Sequence, residues 1–243
     1  MFFFYTNPIL IAAAVIPAVF LLVQVYRADR LEREPPMLLL SLVLYGIIAT
    51  GFAMITERIG STLLGVLFDQ SSLAYRLLMY FGVVAVSEEG FKYLLLKNRT
   101  WRSPAFNCQF DGVVYAVFVS LGFALWENIG YVLRYGFGTA VIRALTAVPG
   151  HACFGVFMGA WYGLARRLAN AGRSGSSGFC RLLSFVIPVF MHGCYDFIAT
   201  SPAMHYGWVF VVFVAAMFLI ALLVIRKMSR NDFYISYGGP FYG

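Results

Sequence analysis

The chain has 243 residues, of which 61% are hydrophobic and 12% are charged, and its formal net charge is +7. Soluble domains carry about 25% charged residues, so this composition excludes an ordinary soluble globular protein. The basic balance does not indicate nucleic-acid binding either, because no basic patch is interleaved with base-stacking aromatic residues.

Apolar runs of about 20 residues recur along the chain, which is the length needed to cross a hydrocarbon core of roughly 30 Å. The sequence therefore predicts an all-α polytopic membrane protein with about seven transmembrane helices. In chain order the predicted spans are about 8–26, 37–55, 77–97, 112–133, 140–165, 182–200 and 206–225. The stretch 61–68 is apolar but too short to cross, which predicts an interfacial or re-entrant piece. The Gly- and Ser-rich stretch 171–178 predicts a flexible linker.

The predicted spans divide the chain into three parts. Residues 1–76 are predicted to form the N-terminal transmembrane helices with their connecting loops, and residues 77–200 a transmembrane core. Residues 201–243 form the last transmembrane helix and a cytoplasmic tail.

The lysines and arginines are unevenly distributed between the two sides of the predicted bundle. One side carries 13 of the 18, Lys92 lies inside a span, and the other side carries only Arg58, Arg76, Arg134 and Arg143. Cytoplasmic loops are the basic ones. We therefore expect a multi-pass protein of the cytoplasmic membrane with its N-terminus outside and its C-terminus inside.

Ionisable side chains inside the membrane are concentrated in the third to sixth spans. Such groups cost about 2.5–3.5 kcal/mol each at a helix centre, so they persist where they pair or perform chemistry. Counting 1.5 Å per residue places all of them at one level, in the middle to outer half of the bilayer. This predicts one polar site inside a four-helix core; its members are Glu88, Glu89 and Lys92 in the third span, Glu127 in the fourth, His151 in the fifth, and His192 and Asp196 in the sixth.

The spacing of these residues indicates which of them share a helix face. Glu88 and Lys92 are one turn apart, whereas Glu89 is turned by about 100° from Glu88. His192 and Asp196 are also one turn apart. The aspartate can orient the imidazole, join it at a metal, or form a buried hydrogen bond that links two helices.

Three short motifs and the blocks around them resemble the PrsW-type membrane proteases. Residues 87–92 (Ser-Glu-Glu-Gly-Phe-Lys) fit the EExxK motif of that family, residues 123–127 fit its FxxxE motif, and residues 192–196 fit HxxxD. The blocks 111–115, 122–131 and 149–152 also look like those of the family. The resemblance covers about residues 80–200 and implies supporting positions at Lys92, Asp111, Phe123 and Asn128.

The resemblance implies a bacterial cytoplasmic-membrane protease related to the Abi/CAAX prenyl endopeptidases. Its expected partners are the lipid bilayer and a single-span membrane protein substrate, such as an anti-sigma factor, cut in a site-1-type reaction near its extracytoplasmic face. The CAAX relatives have FxxxH where this chain has Glu127, so a water-holding or metal-holding position changes from imidazole to carboxylate.

Two chemistries are compatible with these residues. In the first, Glu88 is the general base, Glu127 helps to hold the water, and the two histidines stabilise the oxyanion. In the second, a divalent metal such as zinc is bound by His151, His192 and a carboxylate from Glu127 or Asp196, and Glu88 is again the base. Glu89 and Asp196 complete the predicted catalytic set. The alternatives to a protease are a proton- or cation-coupled transporter and a catalytically inactive sensor.

Overall fold

The computed structural model describes residues 8–200 and 207–235. This part of the chain is helical, and its one β-type pairing is an isolated bridge between Cys108 and Tyr234. The helices are α1 (Pro8–Ala28), α2 (Pro36–Leu67), α3 (Leu73–Leu77), α4 (Ala85–Thr100), α5 (Asp111–Tyr135), α6 (Phe137–Leu145), α7 (Ala147–Asn170), α8 (Ser174–Ala199) and α9 (Gly207–Arg230).

Six helical stretches in the described ranges are long and apolar enough to cross a membrane. They are α1, α2, α5, the combined α6 and α7, α8 and α9, so the all-α polytopic prediction is confirmed. The predicted third span, 77–97, corresponds to a continuous helical run of α3, a π-helical segment (Leu78–Val84) and α4. The second half of this run carries Glu88, Glu89 and Lys92, and its composition is therefore less apolar than that of the other six.

Several predicted boundaries were wrong. The stretch 61–68 is not a separate interfacial or re-entrant piece, because α2 continues without a break for 32 residues. The stretch 171–178 is not a flexible linker, since α8 already begins at Ser174. The fifth predicted span is two helices, with a break at Thr146, whose φ and ψ angles of −124° and −71° are not helical. Residues 201–206 and 236–243 lie outside the described part, which includes most of the predicted tail.

Helix α5 is the centre of the bundle. Every residue from Asp111 to Ala124 is buried, and α5 packs against α1, α2, α4 and α7. Glycines allow α2 and α5 to approach closely: a Cβ atom on Gly46 would lie 2.1 Å from the Val119 carbonyl oxygen, and one on Gly122 would lie 2.2 Å from that of Val43. Small residues at such crossings are typical of membrane helix pairs.

The π-helical segment lies directly before the acidic residues of α4. Its Phe81 ring packs against α8 at Gly193, where a Cβ atom would lie 2.3 Å from the ring. A π-helical turn shifts the register of all later residues on a helix and is often found at functional sites. Here it precedes the turn of α4 that carries Glu88 and Glu89.

Candidate active site

Four helices bring the predicted site residues together inside the bundle. Glu88, Glu89 and Lys92 come from α4, Glu127 from α5, His151 from α7, and His192 and Asp196 from α8. The residues of α4 and the two histidines are at most 5% exposed. His151 lies in the second turn of α7, and His192 and Asp196 lie close to the end of α8. The site is therefore nearer the end of the bundle where α5 and α8 finish.

Lys92 lies at the centre of this group. Its Nζ atom donates to Glu89 Oε1 at 2.8 Å and to Glu88 Oε2 at 3.2 Å, and it lies 3.0 Å from His151 Nδ1. The same ammonium is 3.9 Å from the centroid of the Phe123 ring. The helical spacing predicted a contact between Lys92 and Glu88 and placed Glu89 about 100° from Glu88 around the helix. The long lysine side chain reaches both carboxylates, because positions three and four residues apart are both neighbours on a helix.

His151 connects Lys92 to Glu127. Its second ring nitrogen, Nε2, lies 3.0 Å from Glu127 Oε2. Arg143 of α6 donates to the same carboxylate oxygen at 2.7 Å. Arg143 also donates from Nε to Asn128 Oδ1 at 2.9 Å, and its guanidinium lies 4.0 Å from the centroid of the Tyr131 ring. Glu127 is thus held between an imidazole and a guanidinium.

His192 has a carboxylate oxygen near each of its ring nitrogens. Nδ1 lies 2.9 Å from Glu89 Oε1, and Nε2 lies 3.4 Å from Asp196 Oδ2 and 3.9 Å from Glu88 Oε2. The imidazole stacks on Phe154 with a centroid distance of 4.7 Å. Two acceptor neighbours suit the doubly protonated imidazolium, which donates from both nitrogens.

Two cavities open onto this group. One, of about 210 Å³, is lined by Glu57, Glu88, Glu127, both histidines and Asp196, and it extends to Thr200 at the end of α8. The other, of about 370 Å³, lies between α2 and α5. Glu57, Glu88, Glu127 and Tyr131 line both cavities. Glu89, by contrast, is fully buried and lines neither of them.

The predicted supporting residues separate into two groups. Phe123 contacts both Lys92 and His151, and Asn128 holds Arg143 while its amide donates to the Ala14 carbonyl at 2.8 Å. Asp111 is not at this site. It lies at the start of α5, where its Oδ2 accepts from the backbone N–H groups of Asn107 and Cys108.

Two residues of the site were missed from the sequence. Glu57 lies in the part of α2 that follows the predicted second span, so it was assigned to a loop. Arg143 was counted as a loop charge on the outer side, although it pairs with Glu127. The sequence did contain a signal that the helix continues after residue 55. The first proline after Pro36, which could end a helix, is at residue 104.

The donor chemistry of the site fits a divalent cation. Single ligand atoms of Glu88, Glu89 and His151 lie within 4.8 Å of one another, and Glu89 Oε2 is a buried oxygen that accepts no hydrogen bond. Imidazole and carboxylate are common zinc ligands. Because the Lys92 ammonium lies among these three donors, a metal held there requires that lysine to move. The set of His151, His192, Glu127 and Asp196 proposed from the sequence stays a prediction.

These observations define a polytopic membrane protein with a buried site of glutamates and histidines beside cavities of about 210 and 370 Å³. The family model of the PrsW family intramembrane metalloproteases matches residues 34–223. The chain is 32% identical to Protease PrsW of Geobacillus kaustophilus over 218 residues, which cover 90% of this chain and 91% of that protein. It is 31% identical to Protease PrsW of Bacillus subtilis, over 86% of this chain and 90% of that protein. No solved structure matches the chain.

The chain therefore belongs to the PrsW family of intramembrane proteases, as the sequence motifs predicted. It is a peptidase and a multi-pass membrane protein.

Proposed function

We propose that this peptidase hydrolyses a peptide bond of a single-span membrane protein with a water molecule activated by Glu88. The observation that carries the proposal is that Glu88 and Glu127 line the same two cavities, with the Lys92 ammonium beside Glu88. Two carboxylates that line one cavity large enough for several water molecules can hold a water molecule and take a proton from it. We expect an anti-sigma-factor-like substrate, cut in a site-1-type reaction.

In the proposed reaction, the water oxygen attacks the scissile carbonyl carbon while Glu88 accepts the proton that the water loses. The carbonyl becomes a tetrahedral oxyanion. When the C–N bond breaks, Glu88 returns the proton to the leaving nitrogen. Glu127, held by His151 and Arg143, orients the water and does not itself change protonation.

The cations around the cavity supply the electrostatic stabilisation. His192 as an imidazolium and Arg143 both line the cavity that Glu88 and Glu127 line. Preorganised donors of this kind are worth about 2.7–4 kcal/mol each when they face a developing oxyanion in a site shielded from water. Glu89 acts as a positioning residue, since it contacts His192 and Lys92 but does not line the cavity.

A bound metal ion would add to this arrangement. Glu88, Glu89 and His151 are the residues that would hold it, and it would polarise the scissile carbonyl and acidify water. With Glu88 as a ligand and Lys92 displaced, Glu127 and Asp196 would be among the carboxylates of the cavity left free to accept a proton from water.

The cleavage position follows from the depth of the site. The smaller cavity extends to Thr200 at the end of α8, and the excess of basic residues at the other end favours an extracytoplasmic location for this one. A substrate helix must unwind before its carbonyls can be attacked, and unwinding is easiest near a membrane surface. We therefore propose cleavage near the extracytoplasmic end of the substrate helix.

Mass spectrometry of the products tests this proposal. The purified protein is incubated in liposomes with a single-span substrate, and the new termini are mapped. Cleavage at or just outside the extracytoplasmic end supports the proposal, whereas a scissile bond at the cytoplasmic end contradicts the assigned depth. Cysteine labelling from outside tests the orientation: the loop at Asp69 should react, and the loop 101–110 should not.

The sequence left two alternatives to a protease: a transporter and a catalytically inactive sensor. A transporter has no support in the family comparison. A preparation that cuts no membrane substrate but moves protons or solute in liposomes would favour it.

A further inference from the structure

A second cluster of buried carboxylates lies far from the active site. It consists of Asp29 after α1, Glu34 before α2, Asp111 at the start of α5 and Asp232 after α9, and it is called the acidic cluster below. Asp111 and Glu127 are separated by roughly 24 Å along α5, at 1.5 Å per residue. Asp29, Glu34 and Asp111 are at most 3% exposed. The cluster plays no part in the reaction described above.

Two aspartates of the acidic cluster each have one oxygen that the protein leaves unpaired. Oδ1 of Asp111 and Oδ2 of Asp232 are buried and accept no hydrogen bond, and the Asp29 carboxylate has the backbone N–H of Glu34 near it. The opposite oxygens of Asp111 and Asp232 are fixed by backbone N–H groups, that of Asp232 by Phe110 at 3.0 Å. Each of these two carboxylates is therefore held by one oxygen and presents the other.

Among the described residues, no positive side chain forms an ion pair with this cluster, although the Arg33 guanidinium acts on Asp29 from a longer distance. None of their lysines, arginines or histidines lies within ion-pair distance of Asp29, Glu34, Asp111 or Asp232. An uncompensated buried carboxylate costs several kcal/mol. Burial, followed by the neighbouring Asp232 carboxylate, raises the pKa of Asp29 to about 6, and burial also raises the pKa of Asp232.

The geometry of the unpaired atoms is that of a small-ion site. One ligand atom from each of Cys108, Asp111 and Asp232 lies within 4.8 Å of the other two. The Asn107 amide oxygen beside them is also buried and accepts no hydrogen bond. Both charged donors of this group, Asp111 and Asp232, are carboxylates, and the amide of Asn107 adds a third oxygen.

We propose that the acidic cluster binds one divalent cation of the oxygen-preferring class, Mg²⁺ or Ca²⁺, through the free oxygens of Asp111 and Asp232. Asn107 supplies a neutral oxygen ligand, and the Asp29 carboxylate balances the charge of the ion without contacting it. Hard cations of this class take oxygen ligands and keep several waters. The ion joins the end of α9 to the start of α5, so it fixes the last helix against the centre of the bundle.

Mn²⁺ binding to the full-length protein tests the proposal. Electron paramagnetic resonance measures bound Mn²⁺ as a probe, with Mg²⁺ as the competitor. The background variant Glu88→Gln/His151→Ala removes two of the three clustered donors of the active site, so that binding there is weakened. The test variant adds Asp232→Asn, which keeps the Phe110 hydrogen bond but removes the charge. The matched control adds Asp69→Asn, at a fully exposed carboxylate.

We expect one Mn²⁺ in the background variant, displaced by Mg²⁺, and at least tenfold weaker binding after Asp232→Asn but not after Asp69→Asn. A folded background variant that binds no Mn²⁺, or equal binding with and without Asp232→Asn, would overturn the proposal. If the background variant does not fold, bound Mn²⁺ is counted on the wild-type protein with and without Asp232→Asn. The proposal requires that this substitution lower the number of bound ions by one. Carboxyls that share protons instead of binding a cation would give pH-dependent stability without bound Mn²⁺, which also contradicts it.

Discussion

The Nζ atom of Lys92 lies 3.0 Å from Nδ1 of His151, and this contact joins α4 to α7 at the centre of the site. An ammonium has only donors, so Nδ1 must be the unprotonated nitrogen. Nε2 therefore carries the hydrogen and donates to Glu127 Oε2, 3.0 Å away. Lys92, which forms ion pairs with Glu88 and Glu89, thus also fixes the tautomer of His151 and the orientation of Glu127.

Replacing Lys92 with methionine should destabilise the protein strongly. The substitution keeps a similar volume but leaves Glu88 and Glu89 as buried charges without their partner, a loss of about 3–5 kcal/mol. Thermal unfolding in detergent micelles measures it. Lys97→Met, on the same helix but partly exposed, is the matched control and should change stability little. Equal unfolding temperatures for the two variants would contradict the central position of Lys92.

Glu57→Gln should lower the rate of cleavage without unfolding the protein. Glu57 lines both cavities together with Glu88 and Glu127, so its charge acts on the water and the substrate that enter them. We expect kcat/KM to fall roughly tenfold to a hundredfold, a range at the lower end for groups that assist proton transfer. Unchanged kcat/KM and an unchanged pH profile would show that Glu57 lines the cavity but takes no part in the reaction.

Gly122→Ala should disturb the active site from the opposite face of α5. The new Cβ atom would lie 2.2 Å from the Val43 carbonyl oxygen, so α2 must move away from α5. Overpacking of this kind costs about 1–3 kcal/mol, and it displaces the neighbouring Phe123 that contacts Lys92. Gly51→Ala on α2 meets nothing within 4 Å and serves as the control. Thermal unfolding and peptidase assays of both variants measure the difference.

Two carboxyls outside the membrane-spanning helices predict a pH effect on stability. Burial raises the pKa of Asp29 from 3.8 to about 6 and the pKa of Glu34 from 4.5 to about 7. Neighbouring groups have smaller effects on these pKa values than burial. The Tyr115 hydroxyl, which donates to Glu34 at 2.6 Å, lowers the pKa of Glu34, whereas the charges of the neighbouring acids raise both pKa values. The remaining groups that act on the two carboxyls are Asp232, Glu32, Arg33 and Asp111.

With chelator present, the protein should become less stable as pH rises from about 4 to about 7. The folded state holds these protons more tightly than the unfolded chain, so the unfolded chain binds fewer protons in this window and the free energy of unfolding falls. Thermal unfolding between pH 4 and 7 measures the slope, and Asp29→Asn should reduce it. A midpoint that rises with pH in this window would contradict the assignment.

Helical spacing and depth were sufficient to predict much of the site. Lys92 and Glu88 were placed one turn apart and form an ion pair of 3.2 Å. His192 and Asp196 were placed likewise and lie 3.4 Å apart. Both pairs lie on single helices, where spacing alone fixes proximity. The depth argument placed Glu88, His151 and His192 near the middle of the bilayer, with Glu127 and Asp196 somewhat nearer the outer face.

Contacts between helices were beyond the sequence. Arg143 and Glu127 meet only because the chain breaks at Thr146 and α6 folds back beside α5, which no apolar pattern indicates. Glu57 was hidden because polar residues 56–58 interrupt an apolar run, although α2 continues to Leu67. Asp111 was predicted as a supporting residue from the family resemblance, but it lies in the acidic cluster, at the other end of α5 from Glu127.

The most direct test of the account is the activity of Glu88→Gln. This variant keeps the size of Glu88 and a hydrogen-bonding group near Lys92 but cannot accept a proton from water. The reconstituted variant is assayed for cleavage of a single-span membrane substrate beside wild type and Asp69→Asn, with thermal unfolding and substrate binding measured in parallel. We predict that cleavage falls by at least a hundredfold while folding and binding stay close to those of the wild type. A folded Glu88→Gln that cleaves at the wild-type rate would contradict the assignment of Glu88 as the base.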